Sequence, residues 1–205
     1  MFKLANAEFV LFDVETTGLS PVDGDRIIEL AALKIRNGKV IDRLVSFVDP
    51  GRALSAQEVH GITESMLVGA PTSAEFLPQM IDFVAGGVLV AHNASFDIKF
   101  LSYELSLAGR RLREETPVLD TIKMARLFLP HLTSYRLGYI ACSLGIPAAT
   151  AHRALADAET LAGLMNCFLA MAPEHNITSL TGMVERFSVE KPVFRAAARE
   201  QESLF

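Results

Sequence analysis

Residues 8–14 form a nearly continuous apolar run that leads into two carboxylates, Asp13 and Glu15, two positions apart. An almost unbroken apolar stretch of this length predicts a strand buried on both faces. Side chains alternate along a strand, so Asp13 and Glu15 share one face and Val14 lies on the other. Two acids side by side at the end of a buried strand repel each other. Either they are ordinary polar residues where the strand meets water, or a cation sits between them. A hard divalent ion such as Mg²⁺ or Mn²⁺, which takes oxygen ligands, meets the second condition. A strand covered on both faces also demands a substantial core. The chain has 205 residues, 50% of them apolar, which suits one domain and excludes wholesale disorder.

The remaining pattern predicts an α/β domain. Strands over 27–35 and 40–48 flank Arg36-Asn37-Gly38-Lys39, and Asn-Gly between two apolar runs signals a hairpin. A short helix runs from Ser55 to about His60, and a longer one covers 73–84. A buried strand over 88–91 precedes a helix capped by Asn93 and stopped by Gly109. A strand over 117–120 leads into helices over 121–129, 135–144, 153–171 and 177–187. Three strands followed by helices alternating with two more imply a five-stranded mixed sheet flanked by helices. The domain is expected to span 1–187, with 188–205 as a flexible C-terminal tail.

A net charge of −5 and a pI near 5.5 argue against coating nucleic acid or an anionic membrane through bulk charge. The stretch 99–153 is nonetheless net basic. Cys142 and Cys167 lie in apolar surroundings without metal-site spacing, and are expected to be buried, reduced thiols. The N-terminal segment lacks the apolar core and cleavage site of a signal peptide. No apolar run approaches the ~18 residues that span a membrane. A cytoplasmic protein with no membrane partner is expected.

Two further acids stand in suggestive places. Asp97 falls in the first turn of the helix after Asn93, where an acid also simply complements the helix dipole. Asp157 lies early in the long helix, four residues after Arg153, with which it can form an i,i+4 surface pair. His152 and Asp157 would stand ~140° apart on a continuous helix. They reach one site only if His152 lies in the loop entering the helix.

Three segments in this order, Asp13-Val14-Glu15-Thr16-Thr17-Gly18-Leu19, His92-Asn93-Ala94-Ser95-Phe96-Asp97 and His152-Arg153-Ala154-Leu155-Ala156-Asp157, resemble the motifs of the DEDD superfamily of 3′→5′ exonucleases. The likeness is to its His-containing (DEDDh) branch, and within that to the proofreading epsilon subunits of bacterial DNA polymerase III. Val59-His60-Gly61-Ile62-Thr63 resembles a family segment beside the terminal nucleotide. The likeness covers about residues 5–172. It implies a ribonuclease H-like fold and two divalent cations, Mg²⁺ or Mn²⁺, held by Asp13, Glu15, Asp97 and Asp157. It implies His152 as general base, and Thr16, His60, Asn93 and Phe96 as nucleotide-binding residues. The implied activity is release of nucleoside 5′-monophosphates from single-stranded or frayed DNA 3′ ends, in proofreading or repair. RNA 3′-end trimming of the RNase T or oligoribonuclease kind is the alternative substrate reading, and an idle polymerase- or clamp-binding module the alternative class. The terminal Gln201-Glu202-Ser203-Leu204-Phe205 resembles a sliding-clamp-binding pentapeptide, anchored by Gln201, Leu204 and Phe205 and departing from the pattern at Glu202. A frayed terminus is the other reading.

Overall fold

The computed structural model describes residues 4–55, 57–147 and 153–194, so His152, Gln201, Leu204 and Phe205 lie outside the described residues. In chain order the elements are β1 (Phe9–Thr16), β2 (Ile27–Arg36), β3 (Lys39–Phe47), α1 (Gln57–His60), α2 (Ser73–Phe76), α3 (Pro78–Phe83), β4 (Val88–Ala91), α4 (Ala94–Leu107), β5 (Val118–Asp120), α5 (Thr121–Phe128), α6 (Leu137–Ser143), α7 (Ala154–Met171) and α8 (Leu180–Phe187). The five strands form one mixed sheet in the order β3-β2-β1-β4-β5. β1, β4 and β5 run parallel, and β2 and β3 are antiparallel to their neighbours. Asn37 and Gly38, both at positive φ (51° and 75°), make the tight β2–β3 turn that the Asn-Gly pair signals.

Strand alternation divides the core. Val10, Phe12 and Val14 face a layer built from α2, α3 and α4, including Phe76, Met80, Ile98 and Leu101. Phe9 and Leu11 face α5, α7 and α8, including Phe128, Leu161, Phe168 and Phe187. Asp13 and Glu15 continue the second row and so point towards the α7 side. There Ala154 and Ala158 let α7 lie close over Ala31 and Leu33 of β2. A Cβ on Gly163 of α7 would stand 2.8 Å from Ile146 Cγ2, so this helix needs glycine where the preceding loop crosses it.

Several expectations are corrected by the structure. The helix over 73–84 is broken into α2 and α3, because Pro78 has no N–H to continue the ladder. Asn93 does not cap α4 with its side chain; it adopts left-handed geometry (φ 63°, ψ 47°). Cys142 is exposed, because Ile140 and Ala141 take the inward face of short α6; Cys167 is half-buried. The segment Ala154–His175 is long and apolar enough by length and composition to cross a membrane, although no uninterrupted apolar run announces it. Its buried face, including Leu161, Leu164 and Phe168, is packed into the core.

The chain does not leave the body at residue 188. Ser188 bridges to Leu119 of β5, and Val189 N–H donates to the Val118 carbonyl at 2.8 Å. The Lys191 ammonium donates to the carbonyls of Arg113, Glu114 and Thr116 at 2.5–2.7 Å. The Phe194 ring meets Tyr103 edge-on at 5.2 Å. Residues 188–194 are therefore part of the folded domain and not of a flexible tail.

Candidate active site

The site forms where β1 outruns its parallel neighbour. β4 pairs with β1 only as far as Leu11. Beyond that point Asp97, from the first turn of α4, accepts the Val14 N–H through Oδ1 at 3.2 Å. This bond fixes a buried carboxylate beside the strand end that carries Asp13 and Glu15. From the other face, the first turn of α7 brings in Asp157. One carboxylate oxygen each from Asp13, Glu15 and Asp157 lies within 4.8 Å of the others. Four acids from three separated segments thus meet at one end of the sheet.

Their proton affinities show how unfavourable this is without a cation. Burial pushes Asp13 well above the ordinary carboxylate range, and the charges of Asp97, Glu15, Asp157 and Glu29 push it further. Glu15 is pushed up to about 7 by burial, then by Asp157 and Glu29, against a downward pull from Arg153. Burial also raises Asp97, although backbone N–H groups including that of Val14 oppose the shift. A hard divalent cation reverses each of these penalties, and an all-oxygen donor set is the kind that holds Mg²⁺ or Mn²⁺.

The loop after β1 is tightly built. Thr16 Oγ1 donates to the Gly18 carbonyl at 2.6 Å, and Thr17 Oγ1 accepts the Arg26 N–H at 3.0 Å. Asp25 folds back to accept the Ser20 N–H at 3.0 Å and the Thr17 hydroxyl at 3.3 Å. A Cβ on Gly18 would fall 2.4–2.6 Å from that Asp25 carboxyl, so the motif glycine is dictated by a close approach. His60 is buried. Its Nδ1 accepts the Ile62 N–H at 2.9 Å, which leaves Nε2 to donate to the Ser55 carbonyl at 3.1 Å. Both ring nitrogens serve the fold of the 55–62 segment, as in a histidine that organises a helix end.

The second motif is held from behind. Asp120 Oδ1 accepts the N–H of Ile122 at 2.8 Å and that of Asn93 at 3.2 Å, tying the α5 start to the turn before α4. Asn93 itself is exposed, and Phe96 is half-buried with its ring 5.1 Å from that of Phe100. His92 bridges Thr121 Oγ1 and the Tyr135 carbonyl, each at 2.9 Å. Burial lowers its pKa, and the Tyr135 and Asp120 interactions oppose that shift.

Two ion pairs that spacing did not reveal frame the site. Arg153 donates through Nε and Nη2 to Glu29 at 3.0 and 2.8 Å, and Ala154 N–H donates to the same carboxylate at 3.0 Å. Glu29 thereby supplies an N-terminal acceptor for α7 from β2. Arg26 forms a second two-pronged pair with buried Glu104 of α4, at 2.8 and 2.6 Å. For Glu29 the available signal was a lone acid inside the apolar stretch Ile27-Ile28-Glu29-Leu30; Glu104 lies in a helix that also carries Asp97 and Lys99 and offered no such signal.

The mixed five-stranded sheet thus carries clustered carboxylates at one end of its central strand, an arrangement suited to holding a divalent cation, and known proteins share the fold. A family model described as Exonuclease (RNase T) matches residues 10–165, and the chain belongs to that family. The DNA polymerase III PolC-type protein of Clostridium perfringens is 38% identical over 183 residues, and that of Halalkalibacterium halodurans 42% over 176. These alignments cover 88% and 85% of this chain but only 12% of each relative. Among solved structures, exonuclease X in complex with 5′-overhanging duplex DNA superposes with a TM-score of 0.66 at 24% identity, covering 86% of this chain and 98% of that one. E. coli exonuclease I with a dT13 oligonucleotide superposes with a TM-score of 0.69 at 19% identity, covering 83% and 43%. The fold is ribonuclease H-like, as the motifs imply.

Proposed function

We propose that this domain is a 3′→5′ exonuclease that releases nucleoside 5′-monophosphates from unpaired or frayed DNA 3′ ends. The observation that carries this reading is the convergence of Asp13, Glu15 and Asp157 within 4.8 Å, with Asp97 bonded to the same strand end. Those four residues would hold two divalent cations, Mg²⁺ or Mn²⁺. Such ions would supply a lowered pKa to a water and neutralise charge developing on the phosphate and the leaving oxygen. His152 removes the proton from the attacking water, a task suited to an imidazole with pKa near ~6.5. Thr16 and its neighbouring backbone, Asn93 and Phe96 hold the terminal nucleotide; His60, assigned the same task by the resemblance, has both ring nitrogens engaged within 55–62 and acts by shaping that segment.

The DNA assignment is supported by the PolC-type relatives, named as DNA polymerases, and by fold neighbours described with DNA. Association with a polymerase is proposed on the same ground. A net charge of −5 implies a weak hold on long nucleic acid, which a tether offsets by raising effective concentration. Gln201, Leu204 and Phe205 are proposed to supply it by anchoring the chain to a sliding clamp.

The test uses 5′-labelled single-stranded DNA and RNA of one sequence, with Mg²⁺, Mn²⁺ or chelator, resolved on a sequencing gel. A metal-dependent ladder shortening from the DNA 3′ end is expected. A ladder on RNA alone would transfer the function to RNA processing, and none on either would refute the reading.

A further inference from the structure

Glu15 of β1 stands opposite Glu29 of β2, and Glu29 stands opposite Phe47 of β3. The three form one row across the sheet on the face covered by α7. Arg153, the residue before α7, lies along this row. Its guanidinium grips Glu29 with two hydrogen bonds, and its centre lies 5.1 Å from the Phe47 ring centroid. The next acid along the row is Glu15. A guanidinium is a good partner for its carboxylate and would compete directly with a cation there.

We propose that Glu29 is a positioning residue that detains Arg153, keeping its guanidinium off Glu15 so that this carboxylate remains available to a metal ion. The inference rests on the metal site described above. The Phe47 face and the Ala154 N–H hold the detaining pair in place. Glu29 touches neither substrate nor cation; it acts through Arg153.

The same ion pair can be broken from either side, and detention predicts opposite consequences. With Glu29→Gln, Arg153 is released towards Glu15, and Mn²⁺ affinity falls by ~10- to 100-fold, the range for outer-shell changes at metal sites. With Arg153→Met the competitor is gone, and affinity stays within about threefold of the parent protein or rises. The double variant Glu29→Gln/Arg153→Met returns to within about threefold. A purely structural role for the pair predicts instead that both single variants weaken binding alike.

Mn²⁺ binding is measured on the full chain by calorimetry and by loss of the free-ion electron paramagnetic resonance signal. Folding of each variant is checked by circular dichroism. If Glu29→Gln does not fold, Arg153→Lys replaces it. That variant keeps the cation but loses the fork that holds it to Glu29, and is expected to bind Mn²⁺ at least fivefold more weakly than Arg153→Met. Equal losses in Glu29→Gln and Arg153→Met, or a double variant no better than Glu29→Gln, would overturn the proposal while leaving the metal site standing. A parent protein that binds no Mn²⁺ would instead remove the site itself.

Discussion

Without metal, the carboxylate cluster makes the fold least stable at the pH where the enzyme is expected to work. Glu15 titrates near 4.5 when unperturbed and is pushed up to about 7 in the fold. Between those values the native state holds a proton that the unfolded chain has lost, so stability falls as pH rises through this window. The loss from Glu15 is about 3 kcal/mol, at 1.36 kcal/mol per unit. Asp13 and Asp97 are raised as well and act in the same direction. At ~2–4 °C per kcal/mol for a chain of this size, the melting temperature in chelator should drop by roughly 6–12 °C between pH 5 and pH 8. His92 acts with the opposite sign. Its pKa is lowered in the fold, so its contribution is present above the unfolded value and lost as pH falls through the folded one. Glu15→Gln retains His92, so the difference between the two proteins isolates the carboxylate. Scanning calorimetry at pH 5, 6, 7 and 8, with chelator and with Mn²⁺, makes the comparison. In chelator at pH 8, Glu15→Gln should melt above the parent protein. With Mn²⁺ the order should invert, because the ion stabilises only the carboxylate form. A parent melting temperature that does not fall between pH 5 and 8 relative to Glu15→Gln would refute the electrostatic account.

Asp13→Ala and Asp157→Ala should abolish hydrolysis of a 5′-labelled oligonucleotide while circular dichroism shows an intact fold; near-normal turnover by either would sink the assignment. His152→Ala should lower kcat by ~10²–10⁴ with little change in KM, as measured by steady-state kinetics on a short oligonucleotide. Arg26→Met leaves the Glu104 carboxylate buried with the Ile27 N–H as its described hydrogen-bond donor, and should cost about 3 kcal/mol in urea unfolding. Deleting residues 201–205 should leave oligonucleotide hydrolysis unchanged and remove sliding-clamp binding measured by surface plasmon resonance.

Local rules reached some parts of this site and stopped at others. Period-2 alternation put Asp13 and Glu15 together and Val14 opposite, and the packing of Val14 against the α4 layer matches. The angular argument required residue 152 to precede the helix, and α7 begins at Ala154 after an extended Arg153 (φ −145°, ψ 126°). Asn93 does stand at the N-cap position of α4, but in left-handed geometry and without a side-chain cap, and the Asp120 carboxylate takes its backbone N–H from another strand. The 188–194 stretch reads as a tail because it has no helix or strand periodicity of its own, while the groups that receive it, the β5 edge, the carbonyls of Arg113, Glu114 and Thr116 and the Tyr103 ring, are remote in sequence. Glu29 and Arg153 are 124 residues apart, and no spacing rule spans that distance. What the sequence does contain is the cost of Glu29: an ionisable group in the otherwise apolar run of residues 27–33 must be paired or be destabilising. In a chain that already gathers four acids at one strand end, a fifth acid in the neighbouring strand intensifies the repulsion unless a cation accompanies it. Arg153 is that cation, and because it must stay near the acids without displacing a metal ion, its grip on Glu29 follows from the same charge balance that calls for the metal.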